Sequence, residues 1–547
     1  MVRSWRLWVL WGILSVSVLG LLWRLIDLSV FDRTFLLKQS QARIFRVVKI
    51  PAHRGIILDR LGSPLAVSTS VAAVWINPQI FSATGAEISE LADILKLSPK
   101  VIRDRAQKKA SREFVYLKRA VPLPIADKIK ELEIPGVFFQ REYRRYYPEG
   151  EVTANTIGFT NIDDEGQEGI ELGFNRWLRG DAGKQEVLKD RLGNVISLLS
   201  LLKKPQEGTN IQLSLDHRIQ YLAHQTLKET VEKYHAEAGS AIVVKVDTGE
   251  ILAMANQPSF DPNYRKRPDG SRYRNRAATD MFEPGSVIKP FTIAFALESG
   301  KYKPETRIDT NPGTIRIGGY TIHDDLNYGV VSLTELIQKS SNIAAAKILL
   351  SLNPEHYWQL LRAIGLGEPT DSGFPGEASG KVVQQTVWRP SVVATMAYGY
   401  GISVTPLQLA GAYSVIASGG IKRPLTLLKQ DAQLVNGKRI IPEPVTKEMI
   451  KMLEAVVLKG TGTRAQVPGY RVAGKTGTAY MATVHGYLHN KYMASFVGMA
   501  PASNPKVIVV VVIKDPKNEH MGAIVAAPAF SHIMQGTLRI LDIAPDI

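Results

Sequence analysis

The sequence predicts an α+β protein in three parts: a short cytoplasmic tip and transmembrane anchor at residues 1–35, an irregular α+β region at 36–205, and a large domain at 206–547. In the last part an antiparallel sheet packs against helices. Three observations carry this. A long apolar run opens the chain, and short helical stretches among turn-rich segments follow it. The remainder then runs hairpin signals first, apolar helices next and apolar strands last.

The opening run from Leu7 to Trp23 is apolar apart from small or hydroxyl residues. Its roughly 17 residues rise about 25 Å as a helix. Continuing through Leu25, Ile26 and Leu28 gives a span at about 7–28 that crosses a bilayer core if Arg24 snorkels to the interface. Trp5, Trp8 and Trp23 suit interfacial anchoring. Arg3 and Arg6 favour a cytoplasmic amino terminus, although Arg24 and Arg33 blunt the asymmetry. A cleaved signal peptide is the alternative, but no Ala-x-Ala site follows the apolar run.

The mixed region carries helical patterns from Ala86 to Leu97 and from Ile125 to Leu132. Its Leu-rich end runs into Lys203-Lys204-Pro205 and reads as a linker, with the domain junction near Lys203 to Thr209. Beyond it, Asp216 is the N-cap of a helix burying Ile219, Leu222, Leu227 and Val231. Stretches from Ala241 to Val246 and from Glu250 to Ala255 flank Asp247-Thr248-Gly249, a hairpin signal. Strands are expected from Ala494 to Ala500 and from Lys506 to Lys514, the latter apolar enough for a central position.

Three strings carry chemistry: Ser286-Val287-Ile288-Lys289, Ser340-Ser341-Asn342 and Lys475-Thr476-Gly477. By chance a chain of this length holds roughly two Ser-x-x-Lys matches and about a tenth of a Lys-Thr-Gly. The first two patterns have decoys, Ser200 to Lys203 and Ser351 to Asn353, whereas Lys475-Thr476-Gly477 has none. Context selects Ser286. A Pro284-Gly285 breaker precedes it, and Val287, Ile288, Phe291, Ala294, Phe295 and Leu297 follow at helical spacing up to Gly300. Ser286 therefore belongs in the first turn of a buried helix, with Lys289 on the same face. Pro290 is tolerable this early, at the cost of one hydrogen bond to the Ser286 carbonyl.

A serine hydroxyl is a weak nucleophile until a base removes its proton, and an amine does this only with a depressed pKa. Lys289 is the expected base, kept neutral by burial and by repulsion from Lys475. Ser340 relays the proton, and Asn342 holds Lys289 or a substrate carbonyl. A strand from Tyr470 to Gly474 leads into Lys475-Thr476-Gly477-Thr478, where Gly477 permits close backbone approach to a ligand. Thr476 and Thr478 are candidates for binding a substrate carboxylate beside Lys475. The N–H groups of Ser286 and Thr478 form the expected oxyanion hole.

At these residues the chain resembles the class B penicillin-binding proteins over nearly its whole length. Residues His53 to Arg60 with Gly62, Leu65 and Ala66, then Arg144 to Pro148 and Gly169 to Glu171, are similar to signatures of that family's non-catalytic pedestal. The run from Asp280 to Ser286 is most similar to the division-specific members, the penicillin-binding protein 3 group. The resemblance implies the penicillin-binding and serine β-lactamase-like transpeptidase fold at 206–547 after a dimerisation-type pedestal at 36–205. It implies a peptidoglycan D,D-transpeptidase that β-lactams acylate, without cofactor or metal. It also implies an inner-membrane location with the catalytic domain in the periplasm at the division site. A lipid-II-polymerising membrane glycosyltransferase and other divisome proteins are the expected partners. An elongation-specific transpeptidase, a serine β-lactamase and a non-enzymatic divisome scaffold are the rival readings.

The chain has no cysteine, which excludes thiol catalysis and fits a periplasmic protein without disulfides. Its net charge of +16 fits attraction to anionic surfaces, and nucleic acid is a poor partner outside the cytoplasm. Basic residues from Arg33 to Arg54 point to lipid headgroups, and those from Arg265 to Arg276 read first as a solvated loop and second as an attractor of acidic peptidoglycan. His485 and His489 have metal-ligand spacing without supporting ligands and read as a loop bordering the cleft. Glu168 and Glu171 resemble a glycosidase pair, but their position assigns them a structural role.

Overall fold

The structure, a computed structural model, describes residues 4–34, 45–189, 195–264, 270–430, 435–483 and 486–547. His485 and Arg265 to Arg267 lie outside the described residues. The chain forms two compact units, one of Met1–Arg54, Ser70–Arg144 and Arg179–Gly208, the other of Gly55–Thr69, Arg145–Leu178 and Thr209–Ile547.

In the first unit the helix Ser4–Ile26 continues as a π turn over Asp27–Phe31. Trp5–Phe31 is the one helical segment among the described residues long and apolar enough to cross a membrane. Arg24 pairs with Asp27, so its charge is compensated at the end of the apolar span. The helix Gly85–Leu95 starts with a capping box between Thr84 and Glu87, which satisfies two orphan N–H groups. Its Ile88, Leu91, Ala92 and Leu95 join Val74, Ile76, Ile102 and Val115 in a small core. The second helix read from sequence is Leu123–Lys130. The Leu-rich stretch read as a linker is instead the strand Val195–Lys203, paired with Gly183–Lys189. Leucine and isoleucine suit a strand as well as a hinge, and the Pro205 breaker lies beyond its end.

The second unit is built on a five-stranded antiparallel sheet in the order Ile251–Gln257, Ala238–Lys245, Val507–Lys514, Gly486–Ala500, Ala473–Thr483. Val507–Lys514 takes the middle place that its unbroken apolar run requires, because both of its faces are covered. Alternate residues feed separate cores. Ala241, Val243, Val509 and Val511 pack with the helices His217–Lys233 and Gly522–Ile540, whereas Ile242, Val244, Val510 and Val512 pack with the central helices. Those include Lys289–Glu298, Asn342–Leu350 and the almost wholly buried Pro406–Ala417. Asp216 caps His217–Lys233, accepting from the Arg218 N–H at 3.1 Å.

The signature residues brace this unit. Asp59 accepts from the N–H groups of Leu61 and Ser63 and bonds His217 Nδ1 at 2.7 Å. Arg145 Nε donates to Glu171 at 2.6 Å, with both side chains almost fully buried. Glu171 is therefore a structural ion-pair partner, as its position in the sequence indicated.

Candidate active site

The edge strand Ala473–Thr483 and the turn before Lys289–Glu298 frame the site. Lys475-Thr476-Gly477-Thr478 lies inside this strand rather than after it. The sequence reads Gly477 as a point of close backbone approach, and within the fold itself a Cβ there would lie 2.4 Å from Ser495 Oγ and 2.9 Å from Val287. Among the described residues the strand has a neighbour on one side only, so its outer side can take an extended peptide.

Ser286 sits in a 3₁₀ turn, Gly285–Ile288, and the α-helix begins at Lys289. In a 3₁₀ turn residues three apart eclipse, so Ser286 and Lys289 share a side more closely than in an α-helix. Pro290 falls in the first helical turn, and the Ser286 carbonyl accepts from the Lys289 N–H, so the expected loss does not arise. Gly285 has φ +58° and donates to the Gly399 carbonyl at 3.1 Å. A Cβ on Gly399 would stand 2.2 Å from the Gly285 oxygen. Two glycines therefore fix the height of the Ser286 turn.

Lys289 and Lys475 are both fully buried. Lys289 Nζ contacts the Ser340 carbonyl, Ser340 Oγ at 3.1 Å and Asn342 Oδ1 at 2.8 Å. Lys475 Nζ donates to the same Ser340 Oγ at 3.0 Å, to the Thr476 carbonyl at 3.1 Å and to Thr476 Oγ1 at 3.2 Å. Ser340 is held at φ +62°, a conformation costly for a non-glycine residue.

The hydrogen bonds explain how Lys289 can hold either charge state. The Ser340 carbonyl and Asn342 Oδ1 only accept, and Asn342 Nδ2 donates to His323 O at 3.0 Å, which fixes the amide. These acceptors use two N–H groups of Lys289. Ser340 Oγ can accept a third from the ammonium or donate to the lone pair of the amine. Burial brings Lys289 down to about 7, against Asp324 and Asp325, which favour its charge. Burial holds Lys475 well below its ordinary value, and repulsion from Lys289 adds to this. Two amines in one dry site carry one charge more readily than two.

Of the sequence-predicted residues, Lys289, Ser340, Asn342, Lys475 and Thr476 form one hydrogen-bonded cluster. Ser286 belongs to the neighbouring 3₁₀ turn, which Gly477 approaches so closely that a Cβ on Gly477 would lie 3.2 Å from the Pro284 carbonyl oxygen. Thr478 Oγ1 accepts from the Gly522 N–H at 3.0 Å, which leaves its own proton to donate. The two decoys take ordinary places, Ser200 in a strand and Asn353 as the N-cap of Pro354–Ala363.

Sequence reasoning missed Asp324. Its carboxylate accepts from Ser341 Oγ and the Asn342 N–H, both at 2.6 Å, and from the Ile343 N–H at 3.1 Å. It caps Asn342–Leu350 from a distant loop, and no local spacing signals that. Glu283 was missed as well: its carboxylate accepts from the Gly401 N–H at 2.9 Å and from Tyr487 OH at 3.2 Å, and burial raises its pKa. Glu283, Tyr480 and Met481 line a cavity of about 440 Å³, and neither lysine nor Ser286 lines it. Among the described residues no cluster of metal-ligating side chains occurs.

The penicillin binding protein transpeptidase domain family matches residues 239–535, and the penicillin-binding protein dimerisation domain family matches 49–213. Peptidoglycan D,D-transpeptidase FtsI of Escherichia coli K12 is 41% identical over 550 residues, covering 99% of this chain and 93% of that protein. Probable peptidoglycan D,D-transpeptidase PbpC of Pseudomonas aeruginosa is 40% identical over 546 residues, covering 100% and 96%. Among solved structures, the transpeptidase domain of Burkholderia pseudomallei penicillin-binding protein 3 is 44% identical with a TM-score of 0.57, covering 61% of this chain and 98% of that one. Penicillin-binding protein 3 of Mycobacterium tuberculosis with aztreonam has a TM-score of 0.70 at 27% identity, covering 92% and 98%. The buried lysine pair, its shared serine and the full-length likeness agree, and the chain belongs to the class B penicillin-binding proteins.

Proposed function

We propose that this chain is a serine-type peptidoglycan D,D-transpeptidase of the division machinery and a target of β-lactams. The observation that carries the reading is the meeting of Lys289 and Lys475 on Ser340 Oγ beside the Ser286 turn. Ser286 Oγ attacks the penultimate carbonyl of a D-Ala-D-Ala stem, and its proton passes to neutral Lys289. The N–H groups of Ser286 and Thr478 receive the oxyanion. The C–N bond then breaks, D-alanine leaves with a proton delivered through Ser340, and an ester on Ser286 remains. An amine from a neighbouring stem attacks that ester, gives up its proton along the same route and forms the crosslink while Ser286 is restored. Lys475, Thr476 and Thr478 hold the terminal carboxylate, and Asn342 fixes Lys289. No metal or cofactor enters a step.

Residues 206–547 act as the transpeptidase domain and 36–205 as its pedestal. The apolar helix fits a single-pass membrane anchor, with the amino terminus cytoplasmic and the catalytic domain in the periplasm at the septum. A lipid-II-polymerising membrane glycosyltransferase and other divisome proteins are the partners, with the anchor and pedestal as contact surfaces. Depletion of the protein tests the division role: filamentous cells are expected, and rounded cells would assign it to elongation. Failure of Ser286→Ala to complement the depletion separates the enzyme from a scaffold.

A further inference from the structure

The larger unit holds a second cavity, of about 430 Å³, that none of the active-site residues lines. Its walls come from residues 364–371, from Gln408 and Gly411 on the helix Pro406–Ala417, and from the two-stranded ladder of Ile421–Lys422 with Lys438–Arg439. That ladder pairs Lys422 directly with Lys438. Opposed residues of an antiparallel pair have Cβ atoms about 4.5–5.5 Å apart, so two like charges there work against the fold. Arg423 comes next in the chain, and its Nε is buried without a hydrogen-bond partner. Among the described residues none of these three side chains donates a hydrogen bond or joins an ion pair.

The fold makes room for these cations without neutralising them. Gly365 has φ +103°, and a Cβ on it would lie 3.3 Å from Lys422 Nζ, so the ammonium rests over bare backbone. A Cβ on Gly437 would clash with Ile421 and lie 3.1 Å from Arg423 Cγ, so the ladder closes around a glycine. Burial lowers the pKa of Lys422; Glu368 opposes this, and Lys438 and Arg362 add to it. Glu368 is itself paired with Arg362. Like charges kept in a cavity at a cost to stability suit a ligand of opposite sign.

We infer that this cavity binds an organic phosphate monoester, its phosphoryl oxygens taken by Lys422, Arg423 and Lys438. Counting Arg362, four basic groups face two acidic ones, Glu368 and the exposed Asp371, which leaves two positive charges in excess. A phosphate monoester carries about −1.5 to −2 at pH 7 and three acceptor oxygens, whereas a carboxylate brings one charge and two oxygens. The planar fork of Arg423 suits two of those oxygens, and the lysines act as point charges. The volume falls within the roughly 300–1,000 Å³ of small-molecule sites. Ile364, Pro369 and Leu425 give the ester's organic body an apolar wall. Such a group arrives either on a soluble ester or as a lipid headgroup.

Calorimetric titration of the full-length protein with phenyl phosphate, in phosphatidylcholine nanodiscs, tests the site. Saturable one-to-one binding is expected, with benzoate weaker by about tenfold or more. Lys422→Met, Arg423→Gln and Lys438→Met should each weaken phenyl phosphate by about tenfold or more, the worth of one charge-assisted hydrogen bond. Lys109→Met, at an exposed lysine of the smaller unit, should leave binding unchanged. Without ligand at low salt, Lys422→Met should melt above wild type, because it removes the opposed like charge, and every variant should still take up penicillin. Nanodiscs with phosphatidic acid, compared with phosphatidylserine at matched charge, distinguish the sources: phenyl phosphate excluded only by phosphatidic acid marks a headgroup site, and binding retained in both marks a soluble ester. Absence of binding to wild type that takes up penicillin would overturn the proposal. So would equal binding of benzoate, equal weakening by Lys109→Met, or a Lys422→Met variant that melts below wild type.

Discussion

Acylation of Ser286 is expected to rise with pH through a midpoint near 7, because Lys289 acts as a base only when neutral. Burial brings its pKa from 10.5 to about 7, so the amine is the minor form below that pH and the major form above it. The neutral fraction is about one tenth at pH 6 and about nine tenths at pH 8, so the second-order acylation constant should increase roughly tenfold between them. Asp324 favours the charged form, and its loss in Asp324→Asn should move the midpoint to lower pH. Lys289→Met should lower the rate by about 10²–10⁴-fold and flatten the profile. Stopped-flow quenching with a fluorescent penicillin measures the constants, with circular dichroism verifying the fold at each pH. A constant that is flat or falls from pH 6 to 8 would refute Lys289 as the base.

The same burial makes Lys289 a stability liability at neutral pH and below. Its native pKa lies below the unfolded value, so charge burial costs about 5 kcal/mol below pH 7, and the cost disappears as pH rises from 7 toward 10.5. Three lost hydrogen bonds offset part of this in Lys289→Met, at about 1 kcal/mol each. The Lys289→Met variant should therefore melt above wild type at pH 6 and lose that advantage by pH 10. Asp324→Ala removes a carboxylate with three donors and should lower stability by about 2–4 kcal/mol in urea titrations while slowing penicillin labelling. Gly399→Ala combines φ +87° with a 2.2 Å contact to Gly285 and should cost about 1–3 kcal/mol or more, with acylation slowed through the displaced Ser286 turn.

What was legible in the sequence followed from local pattern. The apolar run of Val507–Lys514 announced a central strand, and Asp216 announced a helix start, because periodicity and capping act within a few residues. The three motifs stood out as fixed residue types at short spacing, and Lys289, Ser340, Asn342, Lys475 and Thr476 from them meet in one hydrogen-bonded cluster. Their assembly was not legible: residues 51 and 135 positions from Ser340 reach its side chain. Asp324 stayed invisible for the same reason, since its partners lie 17 to 19 residues on, beyond the short strand Val330–Ser332 and the helix Leu333–Lys339. The strand Val195–Lys203 was misread because its leucines are apolar on both sides, which no two-sided pattern for a half-buried strand anticipates.

The most direct test of Ser286 as the nucleophile is intact-protein mass spectrometry after incubation with benzylpenicillin. One long-lived adduct of one penicillin per chain is expected on the wild type and none on Ser286→Ala. An adduct that persists on Ser286→Ala would contradict the assignment, and rapid loss from the wild type with hydrolysed penicillin accumulating would mark a β-lactamase instead of a transpeptidase.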